Sequence, residues 1–345
     1  MTLYSDAPIA STAFDALGRA PVAERLVTLV METPQQPLVL GLIGGAGTGK
    51  TSILRMTGEL CAERADLRAF AIDCWIAGDV AKVNEAFLSE VSQLFEAERV
   101  VGSTEKVREK LFAVGDYVSA VARFAGAKID VRGGLERTPD SLRTEVMKHT
   151  EAIGKRIVVF LDHLDRMPPA DAVGVLKSIA RWGTFPYFAF VVAIDRALVA
   201  HKLQTIDGNT DDLERVISVE LPVPPVDRVA LAATVRGGLT DLAKTRGVDP
   251  APALALFEVE GGIGFAAIAT PRNAKRFLNA LVATLLAEGV ELRTACVVEL
   301  IRELAPDVHA AVAARFPFTD DRARLAAELA TGQSAAVAAL LAALV

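Results

Sequence analysis

Five short runs of apolar, β-branched and aromatic residues recur through residue 221, and each is followed by a turn signal and a helical pattern. Strands that are apolar on both faces and alternate with helices are typical of a parallel sheet covered on two sides. The sequence therefore predicts a three-layer α/β/α domain around a mainly parallel, five-stranded sheet. The predicted strands are Pro37–Ile43, Leu67–Cys74, Ile157–Leu161, Tyr187–Ile194 and Val216–Leu221.

After the fifth strand the pattern becomes almost wholly helical, and three prolines between residues 222 and 225 mark the change. Proline interrupts regular structure because it lacks an N–H donor and fixes φ. We therefore predict a core domain over residues 1–224 and a helical C-terminal subdomain over residues 225–345. Within the core, residues 78–140 form an insertion that contains two amphipathic helical patterns.

The end of the chain, from Ala335 to Val345, is apolar on every side of a helix. A helix of this kind is expected to be buried. We favour burial within the C-terminal subdomain, and self-association is the alternative.

Composition indicates a globular protein that is not built for broad nucleic-acid binding. Hydrophobic residues make up 52% of the 345, the net charge is −6 and the pI is about 5.4. The cysteines, Cys61, Cys74 and Cys296, lack CxxC or metal-ligand spacing and are predicted to be reduced. We find neither a signal-peptide pattern nor the roughly 20 apolar residues that a membrane span needs, so a cytoplasmic protein is expected.

The segment from Gly44 to Thr51 matches the Walker A pattern G-x-x-x-x-G-K-[ST] and lies between a predicted strand and a predicted helix. Its glycines let backbone N–H groups and the helix N-terminus approach phosphates closely. Lys50 would reach the β- and γ-phosphates, and the Thr51 hydroxyl would ligate Mg²⁺. The predicted nucleotide-binding residues are Gly44, Gly45, Ala46, Gly47, Thr48, Gly49, Lys50, Thr51 and Ser52.

An acidic residue closes the third predicted strand, where a P-loop protein needs a carboxylate to hold Mg²⁺ through water. Asp162 occupies this place and is the predicted Walker B metal residue, together with Thr51. The residue that orients the attacking water stays open. Asp165 is the first choice, His163 acting as a base is the second, and a slow or inactive site is the third.

Polar residues elsewhere are candidates for contact with the phosphates. Asp195 ends the fourth strand and would lie beside the phosphate loop in the strand order 5-1-4-3-2 of P-loop ATPases, although it could equally cap the next helix. Thr270 and Pro271 are suited to start a later helix, which carries Arg272 and Arg276 on one face. The helix dipole and like-charge repulsion disfavour both cations there. We therefore expect the γ-phosphate as their partner, with a solvated basic face as the alternative.

From about Asp6 to Leu285 the chain resembles the KAP family of P-loop NTPases. The resemblance implies ATP binding and regulated hydrolysis, in bacteria sometimes linked to defence against phages, and it identifies no client. The matching segments are Asp6-Ala-Pro-Ile9, Asp15-Ala-Leu-Gly-Arg19, the phosphate loop, Trp75, Asp162-His-Leu-Asp165-Arg166 and Pro271-Arg-Asn-Ala-Lys-Arg276-Phe-Leu-Asn279.

Two departures from the family pattern matter for function. His163 stands where the family signature has a second acidic residue, which bears on the rate of hydrolysis. Residues 105–130 occupy the place where many members carry transmembrane helices, but they hold too many charges to span a bilayer.

Trp75, one of the matching residues, has a large apolar side chain, and we interpret it as a core anchor.

The leading hypothesis is an ATPase that uses ATP and Mg²⁺ and moves its C-terminal region during the nucleotide cycle. Its partner would be an unidentified protein client, and whether further copies of the chain also associate with it stays open. A nucleotide-gated binding switch or scaffold with little turnover is the main alternative. A P-loop kinase is less favoured, because the sequence shows no arginine-bearing lid soon after the third strand.

Overall fold

The computed structural model describes residues 3–98, 149–207, 211–258, 262–285, 290–315 and 321–345. The chain divides into two compact units. The core unit consists of Pro8–Asp15 and Arg19–Pro224, and the helical unit consists of Met1–Ala7, Ala16–Gly18 and Pro225–Val345. The main division thus falls between two consecutive prolines, and two short N-terminal segments belong with the helical unit.

The core unit is built on a parallel sheet of five strands, which are β1 Leu38–Ile43, β2 Leu67–Asp73, β3 Arg156–Asp162, β4 Phe188–Ile194 and β5 Val219–Pro222. Their order in the sheet is β2-β3-β4-β1-β5. This order confirms both the predicted five-stranded parallel sheet and its predicted arrangement. β3 and β4 are buried along their whole length, which explains their continuous apolar sequence.

Helices cover both faces of this sheet, as the sequence predicts. They are α1 Ala20–Glu32, α2 Lys50–Ala62, α3 Cys74–Ala77, α4 Val80–Ala97, α5 Pro169–Trp182, α6 Arg196–Asp207 and α7 Asp211–Val216, with single 3₁₀ turns at Thr12–Phe14 and Leu164–Arg166. On one face α1 and α2 pack on the sheet around Leu26 and Ile53. On the other face Phe87 of α4 stacks on Trp182 of α5, with ring centroids 4.1 Å apart.

Two predicted segments differ from the structure or lie outside it. Val216 ends α7 instead of starting the fifth strand, so β5 begins three residues later than predicted. The first amphipathic pattern of the insertion forms α4, whereas the second one falls within residues 99–148, outside the described residues.

Trp75 is 56% exposed, so the interpretation of this residue as a core anchor is wrong. It lies on α3, a single turn after the edge strand β2, and this turn buries only Cys74. The Arg166 guanidinium lies 5.5 Å from the centroid of the Trp75 ring, a distance typical of a cation–π contact.

The helical unit packs its helices around a core of its own. They are α8 Arg228–Arg246, α9 Ala251–Leu254, α10 Pro271–Thr284, α11 Leu292–Leu304, α12 Pro306–Arg315, α13 Arg322–Ala330 and α14 Ala335–Ala342, with 3₁₀ turns at Ala255–Phe257 and Ile263–Ala266. Val337, Leu340 and Leu341 of α14 are buried in this core, as expected for burial within the subdomain. Tyr4 joins the unit because its backbone exchanges two hydrogen bonds with the Asn279 amide, at 2.7 and 2.9 Å.

The three cysteines are free and buried, Cys61 and Cys74 in the core unit and Cys296 in the helical unit. Burial raises the pKa of the Cys61 thiol to about 11 and the pKa of each of the other two to about 12. These thiols are therefore protonated at neutral pH, which suppresses their reactivity in the folded protein.

No helix in the described ranges has the length and apolar character that crossing a membrane requires.

Candidate nucleotide-binding site

The loop between β1 and α2 has a backbone that requires glycine. Gly47 and Gly49 have φ values of 77° and 99°, in the left-handed region that glycine adopts without strain. A Cβ atom on Gly44 would lie 2.7 Å from the Thr48 Oγ1 atom, which is too close. Gly44, Gly47 and Gly49 are thus explained by the local geometry of a tight loop that ends at the N-terminus of a helix.

The Lys50 amine lies over this loop. Its Nζ atom donates to the carbonyl oxygens of Gly44 at 2.6 Å and Gly45 at 3.1 Å, and it lies 3.6 Å from Asp165 Oδ2. Both charged side chains are only 10% exposed. Asp165 is therefore the counter-charge of Lys50 in this structure.

Asp165 and Asp195 are connected, and both lie near the loop. The backbone N–H of Asp195 donates to Asp165 Oδ2 at 3.1 Å. Asp195 Oδ1 accepts from the N–H groups of Ala197 and Leu198, so Asp195 caps α6. A Cβ atom on Gly45 would lie 3.9 Å from Asp195 Oδ2. Asp195 thus caps a helix and also lies beside the phosphate loop, and the sequence had left both of these options open.

His163 lies between two carboxylates at the ends of adjacent strands. Asp162 closes β3 and pairs in register with Asp73, which closes β2. The His163 Nδ1 atom is 2.8 Å from Asp73 Oδ2, and its Nε2 atom is 3.7 Å from Asp162 Oδ2. Asp73 was not among the residues that the sequence pattern predicted for the site. Its position at the carboxyl end of a parallel strand was the available signal.

Thr51 and Asp162 line the same cavity, which has a volume of about 360 Å³ and continues between α2 and β2. Among the described residues the Thr51 hydroxyl has no hydrogen-bond partner, and no group of three or more His, Cys, Asp or Glu side chains is arranged to hold a metal. A hydroxyl and one carboxylate fit Mg²⁺, which keeps several waters and uses few protein ligands.

The residues before α1 also reach the loop region. Pro8 O accepts from Arg55 at 3.3 Å and the Thr12 N–H donates to Glu59 at 2.9 Å, so this segment lies on α2. Arg19 follows it and is 4% exposed. A Cβ atom on Gly49 would lie 4.0 Å from the Arg19 Nε atom, so Arg19 is a neighbour of the loop. It was not among the predicted site residues.

Arg272 and Arg276 belong to the helical unit and have carboxylate partners there. Arg272 Nε is 3.2 Å from Asp6 Oδ2, and Arg276 Nη2 is 3.6 Å from Glu303 Oε1. The Thr270 hydroxyl caps α10, as predicted, by accepting from the N–H of the third helical residue. Because each of the two cations already has a carboxylate partner, neither requires an external anion to balance its charge. Their contact with the γ-phosphate stays a prediction.

A parallel sheet of this order, with a strand–phosphate loop–helix element and an acidic residue closing a nearby strand, defines a P-loop NTPase fold. Residues 19–286 match the model of the KAP family P-loop domain. The chain belongs to this family.

Individual relatives are distant. The chain is 21% identical over 347 aligned residues to the Phage T7 exclusion protein of Escherichia coli K12; the match covers 88% of the chain and 46% of that protein, so the chain spans less than half of the relative's length. Among solved structures, it is similar to the Aeropyrum pernix ORC2 protein in ADPNP–ADP complexes, with 14% identity, a TM-score of 0.42 and coverage of 97% and 80%. For the A. pernix ORC1 protein in complex with DNA, the values are 15%, 0.40, 95% and 82%.

Proposed function

We propose that this protein binds ATP with Mg²⁺ and hydrolyses it. The observation that carries the proposal is the meeting of Lys50, Asp165 and Asp195 beside the phosphate loop. These residues follow the carboxyl ends of β1, β3 and β4, which are neighbours in the sheet. Ligands of open α/β sheets bind outside this edge.

Binding would use the loop backbone and the first turn of α2. Backbone N–H groups at a helix N-terminus favour anions. The Lys50 amine is already held over the loop by two carbonyl groups, from which it can turn to the terminal phosphates. Thr51 and Asp162 would hold Mg²⁺, which neutralises charge on the β- and γ-phosphates.

For the chemical step we propose Asp165 as the residue that orients the attacking water. The Asp195 N–H donates to one of its oxygens, so the other oxygen is positioned to accept a proton or a water hydrogen bond. His163 is the alternative, because its ring is held in place by Asp73 at the same edge of the sheet.

A nucleotide-gated binding switch with little turnover is the second candidate function. The observation in its favour is His163, which lies directly after Asp162, where the family signature has a second acidic residue. The chain therefore lacks the carboxylate that the signature places at this position, which favours slow turnover.

The process in which the protein acts is proposed from its relative alone. Because the E. coli relative is named for the exclusion of phage T7, we propose a role in a bacterial defence or regulatory system. The protein client is unidentified.

The test is a thermal-shift and phosphate-release assay on the purified chain. At 100 times Kd, Mg-ATP should add about 2.7 kcal/mol to the free energy of unfolding, which corresponds to several degrees in Tm. Lys50→Ala should abolish most of this gain, and Asp162→Asn should abolish metal-dependent turnover. Lys82→Ala, on the exposed side of α4, is the matched control. An equal gain in wild type and Lys50→Ala would overturn the assignment of the site.

A further inference from the structure

Arg19 has a buried guanidinium whose hydrogen-bonding capacity is mostly unused. Its Nη1 atom donates to the carbonyl of Pro224 at 2.5 Å. Its Nε and Nη2 atoms are buried and have no hydrogen-bond partner in the described part of the chain. Burial lowers the pKa of Arg19, and the nearby Asp15 carboxylate opposes this shift. Buried charged groups without partners are costly and rare, so these two donors call for a physical explanation.

The position of the two donors suggests one. The Arg19 Nε atom would be 4.0 Å from a Cβ atom on Gly49, the residue that precedes the first turn of α2. That turn begins with Lys50 and Thr51 and presents backbone N–H groups to an anion. Arg19 therefore adds a cationic fork beside the end of a helix that is itself an anion site.

Arg19 and Lys50 approach the loop from different sides. The Arg19 guanidinium is anchored on Pro224, just after β5, whereas the Lys50 amine faces Asp165, just after β3. These two strands lie on opposite sides of β1 in the sheet. If Lys50 serves the terminal phosphates, the fork of Arg19 is placed for a phosphate nearer the nucleoside.

The geometry of the donors favours phosphate over base. The N–H groups on Nε and Nη2 of an arginine are parallel, and they match two oxygens of one phosphate. On a purine, the same fork needs two adjacent acceptors, which guanine offers and adenine does not.

We propose that Arg19 is a phosphate-binding residue of the nucleotide site and that its Nε and Nη2 atoms donate to the α-phosphate. The proposal rests on the proposed nucleotide binding and adds a residue to that site. Since the α-phosphate is present in ADP and ATP alike, the contribution of Arg19 to affinity is the same for both.

Arg156 provides a matched control. It is 1% exposed, its Nη1 atom donates to the carbonyls of Pro34 and Gln36, and its Nε and Nη2 atoms also lack partners in the described residues. It begins β3, at the sheet edge opposite to the phosphate loop. Arg156 thus shares the burial of Arg19 but has no phosphate loop beside it.

The test is calorimetric titration of ADP and Mg-ATP into wild type, Arg19→Gln, Arg19→Lys and Arg156→Gln, each first shown to be folded by circular dichroism. For Arg19→Gln we expect affinity to fall about tenfold or more for both nucleotides, as for the loss of a bidentate charged contact. Arg19→Lys, which keeps the charge and loses the fork, should fall in between. Arg156→Gln should bind as wild type at a temperature where it is folded.

Several outcomes would overturn the proposal. Wild-type affinity for ADP in both Arg19 variants would show that the fork has only a structural role. A loss confined to ATP would place Arg19 at the γ-phosphate, and a changed preference between ATP and GTP would place it at the base. If Arg19→Gln does not fold, Arg19→Lys decides the matter. Failure of the wild type to bind either nucleotide would instead refute the proposed function itself.

Discussion

Asp165→Asn tests the idea that Asp165 balances the charge of Lys50 until phosphates replace it. The substitution keeps the shape of the side chain, and its amide oxygen can still accept from the Asp195 N–H. Two unit charges 3.6 Å apart attract each other by about 4–5 kcal/mol at an effective dielectric constant near 20. Lys50 keeps its two carbonyl acceptors. We therefore expect the free energy of unfolding of the nucleotide-free variant to fall by about 2 kcal/mol. This loss is smaller than the one expected when a buried charge is left without any partner.

The nucleotide-bound variant should lose less. Phosphate oxygens then supply the counter-charge for Lys50, and the variant no longer places a carboxylate near them. Nucleotide binding should thus be tighter in Asp165→Asn by about 1–2 kcal/mol, a factor of roughly 5–30 in Kd. At the same time kcat should fall, because the group that orients the water has lost its charge.

The assay combines calorimetric titration of Mg-ATP with single-turnover phosphate release. Asp66→Asn, which removes an exposed ion pair with Arg64, is the matched control and should leave both quantities unchanged. Mg-ATP binding weakened tenfold in Asp165→Asn would refute the reasoning, since it would mean that Asp165 makes a favourable contact with the metal or the nucleotide.

Three further predictions concern other residues of the core unit. His163→Ala should keep nucleotide affinity and most of kcat; a fall in kcat as large as that of Asp165→Asn would reverse the order of the two candidates. Phe87→Ala should lower the free energy of unfolding by about 3–5 kcal/mol in urea titrations, because the fully buried ring stacks on Trp182. A cost below about 1 kcal/mol would mean that the core closes over the cavity. For Glu98, hydrogen bonds from Lys155 and Arg68 lower the pKa in the folded state. Its contribution to stability is therefore present above an unfolded pKa of about 4.3 and is lost as the pH falls through the folded pKa. The difference in stability between wild type and Glu98→Gln should narrow as the pH is lowered, and a constant difference would show that the ion pair contributes nothing.

The sheet and the phosphate loop could be predicted because their signals are local. β3 and β4 are continuous apolar runs, since both of their faces are buried, and Gly47 and Gly49 appear in the motif because the backbone there has positive φ. The position of Asp162 at the end of β3 could be predicted because this residue directly follows a continuous apolar run. Each of these features depends on residues that are close in sequence.

Asp73 and Arg19 could not be assigned in the same way. Asp73 matters because the register of β2 on β3 brings it opposite Asp162, and Arg19 because its side chain lies between Pro224 and the loop. Both depend on partners far away in the chain. For Trp75 the local signal gave a wrong result: its apolar side chain follows an edge strand and is exposed, and no layer of the described residues covers it.

The burial of the three cysteines gives the protein its own set of unfolding probes. Cys61 lies on α2, the helix that starts at the phosphate loop, and Cys296 lies on α11. With thiol pKa values of about 11 and about 12, each sulfur reacts with an alkylating reagent only when its surroundings open. The alkylation rate at Cys61 therefore reports opening of the core unit and the rate at Cys296 reports opening of the helical unit. Mass spectrometry of the two tryptic peptides can thus separate the local stability of the two units in the unlabelled native sequence.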